Sequence, residues 1–272
     1  MTQPRIVSLV PSLTEMLCAL GLREQLVGRT GFCIHPRESL REVPKVGGTK
    51  DVDVERVRAL APTHLVVNVD ENDRDTVERL AAFVPHVMVT HPLVVEDNLG
   101  LFERFGAEFE QVPGVRDAAA ALSLRLRDAL DRARARRFEP LPVLYLIWKD
   151  PWMSVGSETF IASMLAHAGM RSSIDAAQPR YPELTLAQIA DSGARAVLLS
   201  SEPYRFEQRH CAPLREALAR HSGGAAPHCA TIDGEMASWY GSRAIDGLDY
   251  LVGYRERLGR QLDRVAAHGG TR

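Results

Sequence analysis

Residues 114–138 read GVRDAAAALSLRLRDALDRARARRF, and this stretch decides how the chain is organised. Pro113 precedes it and Pro140 follows it, so helix breakers bound both ends. Apolar residues recur between them at steps of three and four, which predicts a helix with one apolar stripe. The stripe consists of Val115, Ala119, Leu122, Leu126, Ala129, Leu130 and Ala133. At roughly 36 Å such a helix matches the diameter of a small domain, so we predict a rigid rod joining two lobes rather than an ordinary surface helix.

Strands and helices are predicted to alternate on both sides of this helix. Short apolar runs rich in β-branched residues indicate buried parallel strands, and amphipathic segments between them indicate helices. The strand predictions are residues 6–10, 65–69, 87–89, 143–147, 196–200 and 231–233. Such alternation is typical of α/β lobes with parallel sheets. We predict an N-terminal lobe at residues 1–112, a bridging helix at residues 113–138 and a C-terminal lobe at residues 139–272.

Composition excludes several classes of protein. With 272 residues and a formal net charge of −2, the chain has the make-up of a soluble globular protein and no global attraction to nucleic acid. No run approaches the ~20 apolar residues that span a bilayer. The N-terminus lacks the basic region and cleavage site of an export signal. The chain is therefore expected in the cytoplasm as written, or in the periplasm if a signal has been removed.

The four cysteines form neither a disulfide framework nor a pair with zinc-site spacing. Cys33 and His35, separated by one residue, are the better candidates for a metal site, but a single such pair is weak evidence. We predict no resident metal and no cofactor.

Side chains suited to ligand binding follow the predicted strand ends. In parallel α/β sheets the loops beyond the carboxyl ends of the strands form the binding site. All three tryptophans, Trp148, Trp152 and Trp239, fall in such loops. Aromatic rings with a few cationic groups suit a large, flat, partly anionic ligand, although tryptophans that merely pack loops onto each lobe remain the alternative. In the first of these loops, Ser12 and Glu15 have the spacing of a capping box.

Four stretches of the sequence resemble one family of transport proteins. They are IVSLVPSLTEML (6–17), KVGGTKDVDVERVRALAPTHLVV (45–67), WKDPWMSVGSETFIASML (148–165) and DGEMASWYGSR (233–243). The chain resembles the class III, helical-backbone substrate-binding proteins of ABC importers, which capture cobalamin, heme or ferric siderophores. The resemblance covers essentially the whole chain. It implies two Rossmann-like lobes with parallel sheets, a long bridging helix that restricts hinge motion, and a ligand held in the cleft between the lobes.

The resemblance also implies roles for particular residues. The expected ligand-binding residues are Ser12, Phe32, His35, Thr49, Trp148, Trp152, Tyr204, Trp239, Tyr240 and Arg243. Members of the family dock on their permease through one carboxylate of each lobe, and we expect Asp73 and Glu207 to serve here. The implied partners are a cobalamin or iron-chelate ligand and an ABC permease, and the protein is expected to be a monomer.

Two other functions remain open on the sequence alone. The protein could be a cytoplasmic carrier or sensor for the same kind of ligand. It could also be an enzyme on the same scaffold, for which Cys33, His35, Asp70 and Glu235 are the candidate residues. The sequence has no GxSxG elbow and no HExxH motif, so we predict no catalytic residues.

Overall fold

The computed structural model describes residues 3–222 and 226–269, and within them the chain divides into two compact units. Unit 1 takes its members from Met1–Pro92, Glu96–Leu126 and Tyr240–Arg243. Unit 2 takes its members from Leu93–Val95, Arg127–Trp239 and Ala244–Arg272. The short segment at residues 240–243 therefore belongs with the N-terminal half of the chain, although the sequence placed it in the C-terminal lobe.

Unit 1 contains a parallel sheet of four strands among the described residues. These are β1 (Ile6–Ser8), β2 (Leu26–Arg29), β3 (His64–Asn68) and β4 (His86–Thr90), in the order β2-β1-β3-β4. Three of the strands match sequence predictions. Strand β2 was missed because Gly28 and Arg29 interrupt its apolar run and a turn-rich stretch follows it.

Four helices of unit 1 connect and cover these strands: α1 (Pro11–Ala19), α2 (Val54–Ala59), α3 (Arg74–Ala81) and α4 (Asp97–Glu108). The predicted capping box of α1 is wrong. Pro11 occupies the first helical position and Val10 is the cap residue, so Ser12 already lies inside the helix. By contrast, Asp73 caps α3 through its carboxylate, which accepts a hydrogen bond from the backbone nitrogen of Thr76 at 3.0 Å.

The predicted long helix is confirmed as one unbroken element, α5 (Val115–Ala135). Every residue of its apolar stripe is buried, whereas Leu124 on another face is 64% exposed. The helix ends before the predicted boundary, and Arg137 beyond it adopts a left-handed φ of 45°. Residues up to Leu126 belong to unit 1 and residues from Arg127 to unit 2, so the chain passes between the units within this helix. Its action as a rigid bridge remains a prediction.

The sheet of unit 2 is mixed rather than wholly parallel. Its strands are β5 (Leu141–Trp148), β6 (Trp152–Ser154), β7 (Met170–Ser172), β8 (Glu183–Leu184), β9 (Ala196–Ser200) and β10 (His228–Ile232). Strands β9 and β10 and the amino-terminal part of β5 pair in parallel, as does β7 with β5. Strand β6 runs antiparallel to β5, because the short turn after Trp148 leaves no room for a crossover, and β8 pairs antiparallel with β6.

Helices of unit 2 pack around this sheet: α6 (Phe160–His167), α7 (Leu186–Ala190), α8 (Cys211–His221), α9 (Gly234–Ser238) and α10 (Arg243–Gly269). One core cluster joins the inner strands to α7 and α8 through buried aliphatic side chains such as Leu199, Ile189 and Leu218. Across the described part of the chain, none of the helices combines the length and the apolar character needed to cross a membrane.

Leu126 and Leu124 offer a matched test of the buried stripe of α5. Leu126→Ala removes a fully buried side chain and is expected to lower the free energy of unfolding by about 2–5 kcal/mol. Leu124→Ala removes an exposed one and should change it by less than about 0.5 kcal/mol. Urea unfolding followed by circular dichroism measures both. Equal effects of the two substitutions would contradict the assigned face.

Candidate functional site

The loops at the carboxyl edge of the unit 1 sheet are held together by one buried amide. Asn72 accepts a hydrogen bond from the backbone nitrogen of Asn68 at 2.8 Å. Its side-chain nitrogen donates to the carbonyl of Leu9 at 3.2 Å and to that of Thr49 at 3.1 Å. The amide thus joins the loops that follow β1 and β3 to the residue 49 loop. The sequence did not indicate this linking role, because Asn72 lies in a polar stretch that was predicted only to cap a helix.

Asn68, the last residue of β3, organises the same edge. Its side chain donates to the carbonyl of Thr90 at the end of β4 and accepts from the backbone nitrogen of Asp70 at 2.8 Å. The Asp70 carboxylate lies 3.5 Å from Nε2 of His91, which follows β4 directly. Polar groups therefore gather where the parallel strands end, as the sequence predicts for this type of sheet.

The predicted ligand-binding residues of this edge differ in exposure. Phe32 is 62% exposed, whereas His35 and Thr49 are half-buried and Ser12 is buried. Gly48 lies against Phe32, since a side chain at Gly48 would approach the phenyl ring within 3.3 Å. Phe32 is thus the side chain of this group that offers the largest apolar surface. The ligand-binding role of each remains a prediction.

The segment Tyr240–Arg243 contributes two of the predicted ligand-binding residues to unit 1. Tyr240 is buried and its hydroxyl donates a short hydrogen bond to the carboxylate of Glu71. Arg243 forms a two-pronged ion pair with Glu15 of α1, with both nitrogen–oxygen distances at 2.7 Å. Gly241 between them has a φ of +78° and approaches Met16, where only glycine fits without strain.

Both side chains are therefore engaged inside unit 1. Burial, reinforced by the Glu71 carboxylate, raises the pKa of the Tyr240 hydroxyl well above its ordinary value, so the group stays a hydrogen-bond donor. The Arg243 guanidinium has a carboxylate of its own to neutralise. Either residue could contact a ligand only while it keeps its carboxylate partner. The sequence did not reveal these pairs because Glu15, Glu71 and the segment are far apart in the chain.

Cys33, a candidate nucleophile in the enzyme hypothesis, has the surroundings of a structural thiol. It is fully buried and its sulfur lies 3.0 Å from the hydroxyl of Thr14 and 3.1 Å from that of Thr30. Burial raises the pKa of the Cys33 thiol, so the reactive thiolate is disfavoured.

Unit 2 brings together the aromatic residues that the sequence singled out. Trp148 ends β5, Trp152 begins β6, and Tyr204 follows β9 with its backbone nitrogen bonded to the carbonyl of Ile147 at 3.2 Å. Phe206, which sequence reasoning missed, joins them. We call these four side chains the aromatic cluster: Trp148, Trp152, Tyr204 and Phe206.

Ring contacts connect every member of the aromatic cluster. The rings of Trp148 and Tyr204 meet edge to face with centroids 5.7 Å apart, and those of Tyr204 and Phe206 lie 4.5 Å apart. Phe206 is buried and stacks on Trp152 with an interplanar angle of 3°. Trp148 is 40% exposed and Lys149 lies over Trp152 at 5.9 Å. The buried Phe206 thus supports two half-buried rings, the exposed Trp148 adjoins one of them, and a cation lies beside the other.

Trp239, the third predicted tryptophan, is not part of the aromatic cluster. It is 8% exposed, and its indole nitrogen donates to Oε1 of Glu202 at 2.6 Å. Ser238 donates to the same oxygen at 3.0 Å. Burial, with smaller contributions from Glu235 and Asp233, raises the pKa of the Glu202 carboxyl group to about 7. Most of the Trp239 side chain is thus packed inside unit 2, and its indole nitrogen is already hydrogen-bonded.

Both predicted docking carboxylates make local contacts. Asp73 is exposed, and the backbone and hydroxyl of Thr76 bond to its carboxylate and lower its pKa. Glu207 is half-buried, with one carboxylate oxygen 3.2 Å from Arg209. A cap and an ion pair are ordinary structural roles, so docking by either residue remains a prediction.

Comparison of the sequence with known families and proteins adds independent findings. The family model described as "Periplasmic binding protein" matches residues 6–209. The vitamin B12-binding protein of Photorhabdus laumondii subsp. laumondii is 24% identical over 196 residues, covering 72% of this chain and 70% of that protein. The vitamin B12-binding protein of Pectobacterium atrosepticum is 21% identical over 208 residues, covering 72% and 71%.

Solved structures share the fold. The periplasmic vitamin B12 binding protein BtuF of Vibrio cholerae superimposes with a TM-score of 0.76 at 16% identity, covering 93% of this chain and 96% of that one. The periplasmic heme-binding protein RhuT from Roseiflexus sp. RS-1, in its apo form, gives 0.77 at 22% identity, covering 94% and 99%. The predicted α/β fold of the class III binding-protein type is thereby confirmed.

Glu202 makes stability depend on pH. Its carboxyl group holds a proton more tightly in the folded chain, with a pKa of about 7, than at its ordinary value of 4.5. The stability from the protonated form is complete below pH 4.5 and is lost as the pH rises through 7. Glu202→Gln keeps Oε1 as acceptor and the group neutral. Relative to the parent chain, it is expected to gain on the order of 1–3 kcal/mol between about pH 5 and 8.

Urea unfolding at several pH values measures this gain. Glu216→Gln, at an exposed position of α8, is the control and should track the parent chain. A Glu202→Gln variant whose stability runs parallel to the parent across the whole range would show that this carboxyl group titrates normally.

Proposed function

Because the chain belongs to the periplasmic binding protein family, we propose that it captures a metal tetrapyrrole, either cobalamin or heme, and performs no chemistry on it. The observation that carries this proposal is the aromatic cluster at the strand ends of unit 2. Relatives named as vitamin B12-binding proteins and fold neighbours that bind vitamin B12 or heme support the ligand class. Ferric siderophores, which also fit the family, are the competing ligands.

The exposed part of the aromatic cluster suits a flat macrocycle. Trp148 and Tyr204 lie at the carboxyl edge of the sheet, where ligands of α/β sheets bind. Aromatic rings offer a large apolar surface at a low cost in conformational entropy. Phe206 is buried behind them and holds the tyrosine ring in place. A corrin or porphyrin ring stacked here would find a preformed surface.

The polar neighbours of the aromatic cluster suit the rim of such a ligand. Lys149 provides a partly exposed ammonium group beside Trp152. Heme carries propionates at the edge of its ring, and cobalamin carries a phosphate in the nucleotide loop attached to its ring. An ammonium group at the edge of an aromatic surface would pair with either of these anions.

Capture without chemistry agrees with the candidate catalytic groups. The Cys33 thiol is fully buried and its pKa is raised, and the Asp70 carboxylate lies 3.5 Å from His91 in a polar cluster. We therefore propose that ligand leaves the protein unchanged. We further propose that the protein acts as a monomer, that an ABC permease receives the ligand, and that Asp73 and Glu207 are the docking carboxylates.

Titration of the purified chain with cyanocobalamin, hemin and a ferric siderophore tests the ligand class. Saturable one-to-one binding of cyanocobalamin or hemin is expected, followed by quenching of tryptophan fluorescence and by the ligand's own absorption. Mass spectrometry after long incubation should find the ligand intact. Saturation by the siderophore alone, or turnover of any ligand, would overturn the proposal.

Substitution of Trp148 tests the role of the aromatic cluster. Trp148→Ala removes an exposed stacking surface and is expected to weaken ligand binding about tenfold while leaving the melting temperature nearly unchanged. Trp148→Phe keeps a ring and should retain most of the affinity. Leu124→Ala, an exposed position on α5, is the control for loss of surface apolar area. Unchanged ligand affinity in Trp148→Ala would show that the aromatic cluster is not part of the binding site.

A further inference from the structure

The opposite edge of the unit 1 sheet carries a second group of polar side chains. His64 and His86 are the first residues of β3 and β4, and they are register partners in the parallel pair. Glu108 is the last residue of α4. The three residues therefore lie at the amino ends of the strands, whereas the candidate ligand-binding loops of this unit follow the carboxyl ends.

Three donor atoms converge at this edge. Nε2 of His64 lies 3.2 Å and Nδ1 of His86 lies 3.7 Å from the same carboxylate oxygen of Glu108. All three atoms fall within 4.8 Å of one another. We propose that His64, His86 and Glu108 form a binding site for a divalent transition-metal ion, with Zn²⁺ as the preferred occupant.

The surroundings of His64 are those of a supported metal ligand. The side chain is buried, and its ring packs between His86, at 4.7 Å, and Phe109, at 4.9 Å. Its second nitrogen, Nδ1, lies 2.7 Å from the hydroxyl of Thr63, which in turn accepts a hydrogen bond from the backbone nitrogen of Arg5. Metal-bound histidines use their second nitrogen in this way to fix ring orientation and tautomer.

The donor set selects the kind of ion. Two imidazole nitrogens and one carboxylate oxygen are typical ligands of Zn²⁺, whereas Ca²⁺ and Mg²⁺ prefer oxygen donors alone. Three protein ligands leave a fourth tetrahedral position, and the 58% exposed side chain of His86 puts that position within reach of water. The ion would join β3, β4 and the end of α4, so it would stabilise unit 1.

Binding requires one local adjustment. The rings of His64 and His86 are stacked at an interplanar angle of 13°, so their nitrogen lone pairs lie in two nearly parallel planes and do not converge on one point. Ligands of zinc lie about 2.0–2.2 Å from the ion. His86 is largely exposed, so its ring can rotate toward Glu108 while the buried His64 ring stays fixed.

Titration with Zn²⁺ tests the proposal. The full chain is used, without an affinity tag and after removal of metal with EDTA. Isothermal calorimetry is expected to show one ion bound per chain. His86→Ala and Glu108→Gln should each weaken binding at least about tenfold. Substitution of a residue that only hydrogen-bonds to a metal ligand already lowers metal affinity by about that factor. Both substitutions affect partly exposed side chains, which avoids disrupting the buried His64. His221→Ala, at an exposed histidine of α8, should bind as the parent does.

Thermal unfolding gives a second readout. Zn²⁺ should raise the melting temperature of the parent chain and of His221→Ala, because an ion that binds the folded state stabilises it. The increase should shrink in His86→Ala and Glu108→Gln. The absence of saturable Zn²⁺ binding by the parent, or parent-like affinity in either ligand variant, would overturn the proposal. Neither result depends on the identity of the tetrapyrrole.

Discussion

The parallel pairing of strands β1 to β4 is the constraint on which the organisation of unit 1 depends. Parallel strands send all their carboxyl ends to one edge of the sheet and all their amino ends to the other. Side chains that lie far apart in the sequence are thereby sorted by their position along a strand. Asn68 and Asp70 meet the loop after β4 at one edge, while His64 and His86 meet at the other.

Buried polar groups hold loops in place in both units. The amide of Asn72 satisfies the backbone of two other loops, and the carboxyl group of Glu202 accepts from Trp239 and Ser238. Burial of a polar group costs free energy unless the group is hydrogen-bonded. Each loop therefore has few conformations in which all of these buried groups keep their hydrogen bonds. A raised pKa at Glu202 is one visible consequence of this cost.

Unit 2 places its aromatic side chains with a mixed sheet instead of a parallel one. Its aromatic cluster rests on Phe206, which is buried, while Trp148 stays 40% exposed. The antiparallel β6 brings Trp152 next to the end of β5. A wholly parallel sheet would have separated these two tryptophans by a crossover connection. The mixed sheet is therefore part of the reason that the rings meet.

The sequence by itself determined the alternation of strands and helices, the long helix α5 and the family of the fold, because these rest on local periodicity and on motifs within short stretches. It also located Trp148 at the end of a strand. Tertiary structure alone decided the partners: Arg243 with Glu15, Tyr240 with Glu71, Trp239 with Glu202, and Glu108 with two histidines. These pairs form between elements distant in the chain, and no periodicity of a single sequence records which side chains are brought together when the sheet and its helices pack.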